Sequence, residues 1–251
     1  MAGHNKWSKI KRSKGVLDAK RGKLFARFSK EIIVAVRLGG ANPSFNPRLR
    51  AAVQGARSQS MPNENIERAI KKGSGDLGGQ TVEEMTYEGY APGGVALMIE
   101  AATDNKNRTA ADMRLIFSKN HGNLASSGSV AFMFHRKGQI TVPVAAVEED
   151  RLLEVALEAG AEELSGDEEH HIITTAPDRL YAVAEVLKKS SIEADSQKLT
   201  YIPENSVSVT DEEVAAQVLH LCDALDDCDD VLSVHANFDI PDAVLAKVQN
   251  N

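Results

Sequence analysis

The hydrophobic pattern of the chain changes near residue 73, and this change constrains the fold more than any other feature. Between residues 18 and 72, apolar side chains recur every three or four positions, as on one face of an amphipathic helix. Asn46 and Pro47 are typical of the N-cap and first residue of a second helix, and Gly73 is expected to end a third. The sequence therefore predicts an N-terminal three-helix bundle, whose first helix buries Leu24, Phe25, Phe28, Ile32, Ala35 and Val36.

Beyond the glycine-rich segment 73–80, which predicts a linker or hinge, short apolar runs alternate with helical stretches. This alternation is typical of α+β domains with helices on one face of a sheet. Residues 138–202 hold a complete set of strands and helices, so we expect an inserted ferredoxin-like α+β domain. The predicted multi-domain α+β organisation comprises a basic tail (1–20), a helical bundle (21–75), a discontinuous α+β domain (76–137 and 203–240) and the insertion (138–202).

Length and composition exclude several classes of protein. With 251 residues, 42% of them hydrophobic, the chain can form two or three domains. Cys222 and Cys228 are separated by five residues, which suits neither a disulfide framework nor a structural zinc site. No apolar run approaches the roughly 18 residues that span a bilayer. The first 17 residues are basic but too poor in apolar side chains for a targeting helix, so we expect a cytoplasmic protein without a membrane partner.

Charge is distributed very unevenly along the chain. The net charge is -7, yet the first 72 residues hold 17 of the 29 Lys and Arg and only four of the 36 acids, a local charge of +13. The remaining residues carry -20. A basic end on an acidic body predicts a polyanionic partner for that end alone.

The N-terminal cations are therefore the candidate nucleic-acid contacts. Lys and Arg neutralise phosphates, and an interleaved aromatic residue can stack on bases. The alternative is a basic segment that only confers solubility. The candidate contacts are Lys6, Trp7, Lys9, Lys11, Arg12, Lys14, Lys20, Arg21, Lys23, Arg27, Arg48, Arg50, Arg68, Lys71 and Lys72.

The segment "TDNKNRT" (103–109) is a candidate anion-binding loop. Asn107 or Asp104 can cap the following helix and leave its backbone N–H groups, with Lys106 and Arg108, for an anion. The predicted site is Lys106, Asn107 and Arg108. The alternative is a capped helix start whose charges are solvated.

The sequence contains few features that indicate catalysis or metal binding. "GYAPGG" (89–94) precedes a strand, whereas phosphate-binding loops follow one, so a turn is expected. The adjacent His170 and His171 face opposite sides of a strand and cannot share a metal. Residues 148–169 and 211–230 are acidic tracts, for which solvated helix faces are expected. We therefore predict a non-enzymatic protein with no metal and no cofactor.

Several segments resemble the YebC/PmpR family, which includes the mitochondrial translational activator of cytochrome oxidase subunit I. They are "GHNKWSKIKRSKGVLDAKRGKLFARFSKEI", "MPNENIERAIKKGSG", "YEGYAPGGVALMIEAATDNKNRTAADMRLIFSKNHGNL" and "GSVAFMFHRKG". The resemblance implies one helical and two α+β domains, no catalytic residues, and a cytoplasmic DNA-binding transcriptional regulator. It also implies a link to translation, through the mitochondrial relatives. His121 departs from the family pattern, which has glycine at that turn.

The nature of the polyanion stays open at this point. DNA follows from the family's customary description, although no major-groove motif is apparent in the sequence. Ribosomal RNA suits an extended basic tail, because RNA can be recognised by shape. A nucleic-acid-processing enzyme is a remote third alternative. The acidic surface is a candidate site for a protein partner.

Overall fold

The computed structural model describes residues 17–78 and 81–249. The helices in this part of the chain are α1 (Leu17–Gly39), α2 (Pro47–Ser58), α3 (Asn63–Ser74), α4 (Lys106–Lys119), α5 (Glu149–Glu158), α6 (Leu180–Lys189), α7 (Glu212–Asp226) and α8 (Asp242–Gln249). The strands are β1 (Glu83–Ala91), β2 (Val95–Thr103), β3 (Asn123–Ala125), β4 (Phe134–Pro143), β5 (Ala161–Gly166), β6 (His170–Thr175), β7 (Ser196–Pro203), β8 (Val207–Ser208), β9 (Val231–Ala236) and β10 (Phe238–Asp239). This confirms the mixed α+β fold. None of these helices is long and apolar enough to cross a membrane.

The three-helix bundle forms for the reasons that its sequence indicates. The side chain of Asn46 caps α2 by accepting a hydrogen bond from the Leu49 backbone N–H, and Pro47 supplies the first helical residue. In α1, Ile32, Ala35 and Val36 are buried, as the apolar spacing predicts. Phe25 and Phe28 pack at the margin of the same core, which adds Leu49, Ala52, Val53, Ile66 and Ala69 from the other two helices.

The glycine-rich segment begins inside a helix, whereas the sequence predicts that Gly73 ends it. Gly73 and Ser74 continue α3, because Gly73 lies against α1, where a Cβ would sit 2.7 Å from Val36 Cβ. The helix ends instead at Gly75, whose φ of +86° suits glycine. Val82 and Ala102, which follow this segment in sequence, belong to the hydrophobic core of the bundle. A shared core therefore joins the bundle to the sheet.

The chain divides into two compact units, and the first combines the bundle with a four-stranded sheet. Its strand order is β3-β1-β2-β9, and β1 pairs with β2 along nine residues, from Glu83 opposite Thr103 to Ala91 opposite Val95. One face of the sheet packs against α4 and α7 through a core that includes Leu97, Ile99, Phe117, Leu221 and Leu225. A two-stranded parallel ladder of β8 and β10 also lies in this unit.

The second unit is His135–Ile202. Its strands are ordered β5-β6-β4-β7, and α5 and α6 follow the first and third strands of the set in sequence, which is the ferredoxin-like arrangement. The core of this unit contains Ile140, Val142, Leu152, Ile173, Leu180 and Leu187.

Some elements differ from their sequence-based predictions. The apolar run "SVAFMFH" (129–135) by itself predicts a strand, but Ala131–Met133 form a 3-10 turn and β4 begins at Phe134. Strand β1 was not predicted, because its glutamates obscure the alternation of burial along the strand. Strand β5 and helix α8 were also not predicted. His121 adopts φ +59°, a left-handed conformation that favours glycine. A histidine in place of the family's glycine at this turn therefore carries backbone strain.

Candidate nucleic-acid interface

The first helix of the bundle presents three cations to one turn of the α+β part. We call residues 226–230, at the junction of α7 and β9, the acidic turn. Three cations on one face of α1 each pair with it, because they are spaced by four and three residues. The ion pairs join Lys23 Nζ to Asp227 Oδ1 at 3.0 Å, Arg27 Nη2 to Asp226 Oδ1 at 3.1 Å, and Lys30 Nζ to Asp230 Oδ1 at 2.5 Å. The chain's own carboxylates therefore already occupy these cations.

Asp230 is buried, and its carboxylate collects several donors. Besides Lys30, it accepts hydrogen bonds from Thr109 Oγ1 at 2.6 Å, Arg108 Nη2 at 3.0 Å and Thr103 Oγ1 at 3.1 Å. Burial favours the neutral acid, but the hydrogen bonds from Lys30, Thr109 and Arg108 outweigh it and lower the pKa of Asp230 to about 2. The ionised side chain thus links α1 and α4 to the start of β9.

Arg48, in the first turn of α2, is held in a similar way. Its Nε donates to Glu31 Oε1 at 2.9 Å, and its guanidinium makes two further bonds to the Glu84 carboxylate of β1. Burial disfavours the charged form, but the two carboxylates reverse this effect and raise the pKa of Arg48. Arg48 therefore links the bundle to β1 of the sheet, whereas Lys23 and Arg27 link it to the acidic turn.

A second group of bundle cations is exposed. Arg68, Lys71 and Lys72 are spaced by three and four residues along α3, and we call them the α3 cationic face. Arg57, in the last turn of α2, is exposed as well. Within the described part of the chain, no carboxylate pairs with any of these four side chains. They are free to exchange bound counterions for phosphates.

The remaining predicted contacts occupy different positions. Arg21 is exposed on α1, and Arg50 is half-buried on α2 and engaged in a contact. The backbone of Lys20 belongs to α1. The other predicted contacts lie outside the described residues, and they are Lys6, Trp7, Lys9, Lys11, Arg12 and Lys14.

The predicted anion loop is arranged differently from the expectation. Asn105, and not Asp104 or Asn107, caps α4 by accepting a hydrogen bond from the Arg108 backbone N–H at 3.1 Å. Lys106 Nζ pairs with Glu83 Oε2 at 2.7 Å. The guanidinium of Arg108 lies between two aspartates, 3.1 Å from Asp104 Oδ1 and 3.0 Å from Asp230 Oδ2, whereas the Asn107 side chain is exposed. Both cations of this loop therefore have carboxylate partners.

Groups with catalytic potential are placed unfavourably for chemistry. Burial raises the pKa of the Cys222 thiol and also that of the less deeply buried Cys228 thiol. The reactive thiolate form of both residues is therefore disfavoured. His235 Nε2 contacts both Glu100 Oε2 at 2.9 Å and Ser233 Oγ at 3.0 Å. In the described residues, no three His, Cys, Asp or Glu side chains are grouped to hold a metal ion.

Sequence reasoning missed the acidic turn as a binding partner. It was expected to be solvated, but Asp226 and Asp230 are buried and paired with cations of α1. The signal in the sequence was the match between a dense run of aspartates and three cations on one helix face. Nothing local indicates that residues about 200 positions apart come together, because only the folded topology brings them into contact.

Comparisons with known proteins cover nearly the whole chain. Residues 5–76 match the family model described as the TACO1/YebC protein N-terminal domain, and residues 82–238 match the TACO1/YebC second and third domain. A probable transcriptional regulatory protein of Aquifex aeolicus (strain VF5) is 53% identical over 248 residues, covering 99% of this chain and 100% of the relative. A protein of the same description from Sulfurihydrogenibium is 52% identical, with coverage of 99% and 100%. The crystal structure of a conserved hypothetical protein from Aquifex aeolicus superposes with a TM-score of 0.85 at 53% identity, over 92% of this chain and 95% of that one.

Proposed function

Because the chain belongs to the TACO1/YebC family, we propose that it is a non-enzymatic, cytoplasmic regulator of gene expression that binds nucleic acid. The names of its relatives, probable transcriptional regulatory proteins, support the regulatory part of this proposal. The exposed α3 cationic face is the observation that carries the nucleic-acid part. Its three cations contact phosphates without first breaking an ion pair within the protein.

This surface is suited to the nucleic-acid backbone more than to base edges. Helix α2, the turn at 59–62 and α3 follow one another as in a helix-turn-helix motif, in which the start of the second helix contacts bases in the major groove. In this protein, the first turns of α3 carry Glu64 and Glu67, which repel phosphates, and the cations lie toward its end. Contacts of this kind position a protein but carry no direct sequence information.

For this reason two polymers remain as candidates within the proposal. Duplex DNA fits the names of the relatives and is the first candidate. Ribosomal RNA is the second, because recognition by backbone and shape is the usual way in which proteins bind structured RNA. In that case the protein acts on translation.

The test compares the salt dependence of binding by the wild type and by a triple variant, Arg68→Ala, Lys71→Ala and Lys72→Ala. Each lost phosphate contact reduces the slope of log K against log[salt] by about 0.9 on duplex DNA and about 0.7 on single strands. We therefore expect the slope to decrease by roughly two to three units, with equal loss of affinity for unrelated sequences. An unchanged slope would show that these cations serve only the helix dipole of α3.

The matched control is the pair Lys188→Ala and Lys189→Ala, which removes two exposed cations from the last turn of α6 in the other unit. This variant should keep the wild-type slope.

A further variant, Lys11→Ala, Arg12→Ala and Lys14→Ala, measures the contribution of the N-terminal segment. Sedimentation of lysate through a sucrose gradient, with and without ribonuclease, separates the two candidates: co-migration with ribosomes that is lost on digestion indicates RNA.

A further inference from the structure

Helix α5 of the second unit exposes two leucines that lie one turn apart. Leu153 is 38% exposed and Leu157 is 50% exposed, whereas Leu152 and Ala156 of the same helix are buried in the core of the unit. Because residues four positions apart are neighbours on a helix surface, the two exposed leucines form one stripe, which we call the leucine stripe. Covering it with another apolar surface would remove it from water and would be favourable.

The leucine stripe lies on the side of α5 that is turned away from α6. Helix α5 contacts both β5 and α6. Arg151 Nη2 donates to the carbonyl oxygen of Ser190, the residue after α6, at 3.3 Å, so the side of α5 that carries Arg151 faces α6. Leu153 and Leu157 lie roughly 160° and 120° around the helix from Arg151, at about 100° per residue. The stripe is therefore on the same side of the unit as β5.

Strand β5 forms one edge of its sheet. Among the described strands it pairs with β6 alone, so no strand covers the backbone N–H and C=O groups of its outer edge. After a bulge between Ala161 and Glu163, residues 163–166 pair in regular register. The side chain of Leu164 packs in the core on the α5 side, and that of Glu163 lies on the opposite face, because side chains alternate along a strand. A strand added at this edge would have alternate side chains on the α5 side and on the Glu163 side.

The charge around this edge indicates which kind of segment it can accept. Glu149, Asp150 and Glu154 flank the leucine stripe on α5, and Glu163 follows on β5. Within the part of the chain that the structure describes, no cation pairs with any of these four carboxylates. Acidic side chains beside an edge strand oppose pairing with the same edge of a second copy, because like charges would face each other. They favour a partner that carries Lys or Arg.

We propose that β5 and the leucine stripe bind an extended segment of a partner protein in which apolar and basic side chains alternate. The segment adds a strand to the edge of β5, its apolar side chains cover Leu153 and Leu157, and its cations lie near Glu163 and the carboxylates of α5. In this mode of recognition the main-chain hydrogen bonds provide affinity and the alternate side chains provide specificity. The proposal goes beyond the proposed function, because it adds a protein-binding surface and does not depend on nucleic acid.

The probe is an acetylated and amidated peptide of four Lys-Val repeats, titrated into the full chain and followed by the backbone amide signals of the protein in NMR spectra. We expect the largest shifts in β5 and on the stripe side of α5. Two control peptides should bind much more weakly. One has Glu in place of Lys, and the other has N-methylated amides, which cannot donate hydrogen bonds to the strand edge.

Replacing both leucines, Leu153→Ala with Leu157→Ala, should lower the affinity for the Lys-Val peptide by about 10- to 100-fold, because each half-exposed side chain contributes part of the value of a fully buried leucine. The matched control is Leu115→Ala, since this leucine is 52% exposed on α4 in the other unit, and this variant should keep the wild-type affinity. The double variant should also keep the salt slope of the wild type on DNA, because it removes no cation.

Four results would overturn the proposal. They are absence of binding of the Lys-Val peptide at millimolar concentration, equal binding of either control peptide, shifts that map away from β5 and α5, and unchanged affinity in the double variant. Failure of the wild type to bind any nucleic acid refutes the proposed function instead, and it does not alter the expected binding of the peptide.

Discussion

Replacing Asp230 by asparagine tests whether the acidic turn holds the first unit together. The substitution keeps the shape of the side chain but removes the charge that pairs with Lys30 at 2.5 Å and with Arg108 at 3.0 Å. Lys30 is largely buried, so it would lose its counter-ion in a place that water reaches poorly. Removing one partner of such a pair destabilises a protein more than the pair itself stabilises it.

The magnitude follows from the pKa of Asp230. Its lowering from 3.8 to about 2 corresponds to a stabilisation of about 2 kcal/mol by the charged form, at 1.36 kcal/mol per pKa unit. The substitution also puts a donor NH₂ group or a neutral oxygen where Thr109 now donates to a carboxylate, which weakens that hydrogen bond. Together these losses should lower the free energy of unfolding at pH 7 by about 2 to 3 kcal/mol. Because the folded pKa is the lower one, the wild-type contribution is present above about pH 4 and is lost as the pH falls toward 2.

Urea unfolding followed by circular dichroism at several pH values measures both effects. Hydrogen exchange of peptides from β9 then locates the loss, with peptides from α5 in the other unit as internal reference. Asp227→Asn is the matched control: its side chain is 71% exposed in its pair with Lys23, so its loss should cost at most about 1 kcal/mol. Equal stability of Asp230→Asn and wild type at pH 7, with the same slope between pH 4 and 2, would refute the reasoning.

Two further substitutions test local features of the fold. Asn46→Ala removes the cap of α2 and two hydrogen bonds to the end of α1, so unfolding measurements should show a loss of about 2 to 3 kcal/mol; a loss below about 0.5 kcal/mol contradicts the assigned role. His121→Gly relieves a side chain at φ +59°, and a gain in stability of about 0.5 to 1 kcal/mol should raise the melting temperature, whereas an unchanged or lower value would show that the turn carries no strain.

The bundle could be predicted in detail because its signals are local. The Asn46 cap, Pro47 and the apolar spacing of α1 act within a few residues, and each is confirmed. The end of α3 could not be placed, because Gly73 is retained in the helix by its contact with Val36 of another helix. Composition alone does not show which glycines of this segment pack closely against another helix.

Strand β1 illustrates a different limit. Glu88 lies in it and is buried, although a glutamate normally argues against a buried strand position. Its carboxylate accepts hydrogen bonds from the backbone N–H groups of Gly128, Val130 and Ala131, at 2.7 to 2.9 Å. Burial raises its pKa and these bonds more than compensate, so the pKa of Glu88 is lowered. The backbone N–H groups that stabilise this buried charge belong to a loop about 40 residues further along the chain. No local sequence pattern shows that this loop lies beside Glu88.

The charge distribution predicted a polyanion partner for the first 72 residues, but it did not show which cations are available. The fold places acids from the C-terminal part of the chain against Lys23, Arg27 and Lys30, and Glu84 against Arg48. Part of the local excess of +13 is therefore balanced within the protein. The acidic turn is not only a repulsive surface, because by occupying one face of α1 it leaves α3 as the exposed cationic face of the bundle. In the described part of this chain, the unpaired cations of α3 are therefore the ones that the phosphates of a nucleic acid can contact without displacing a carboxylate.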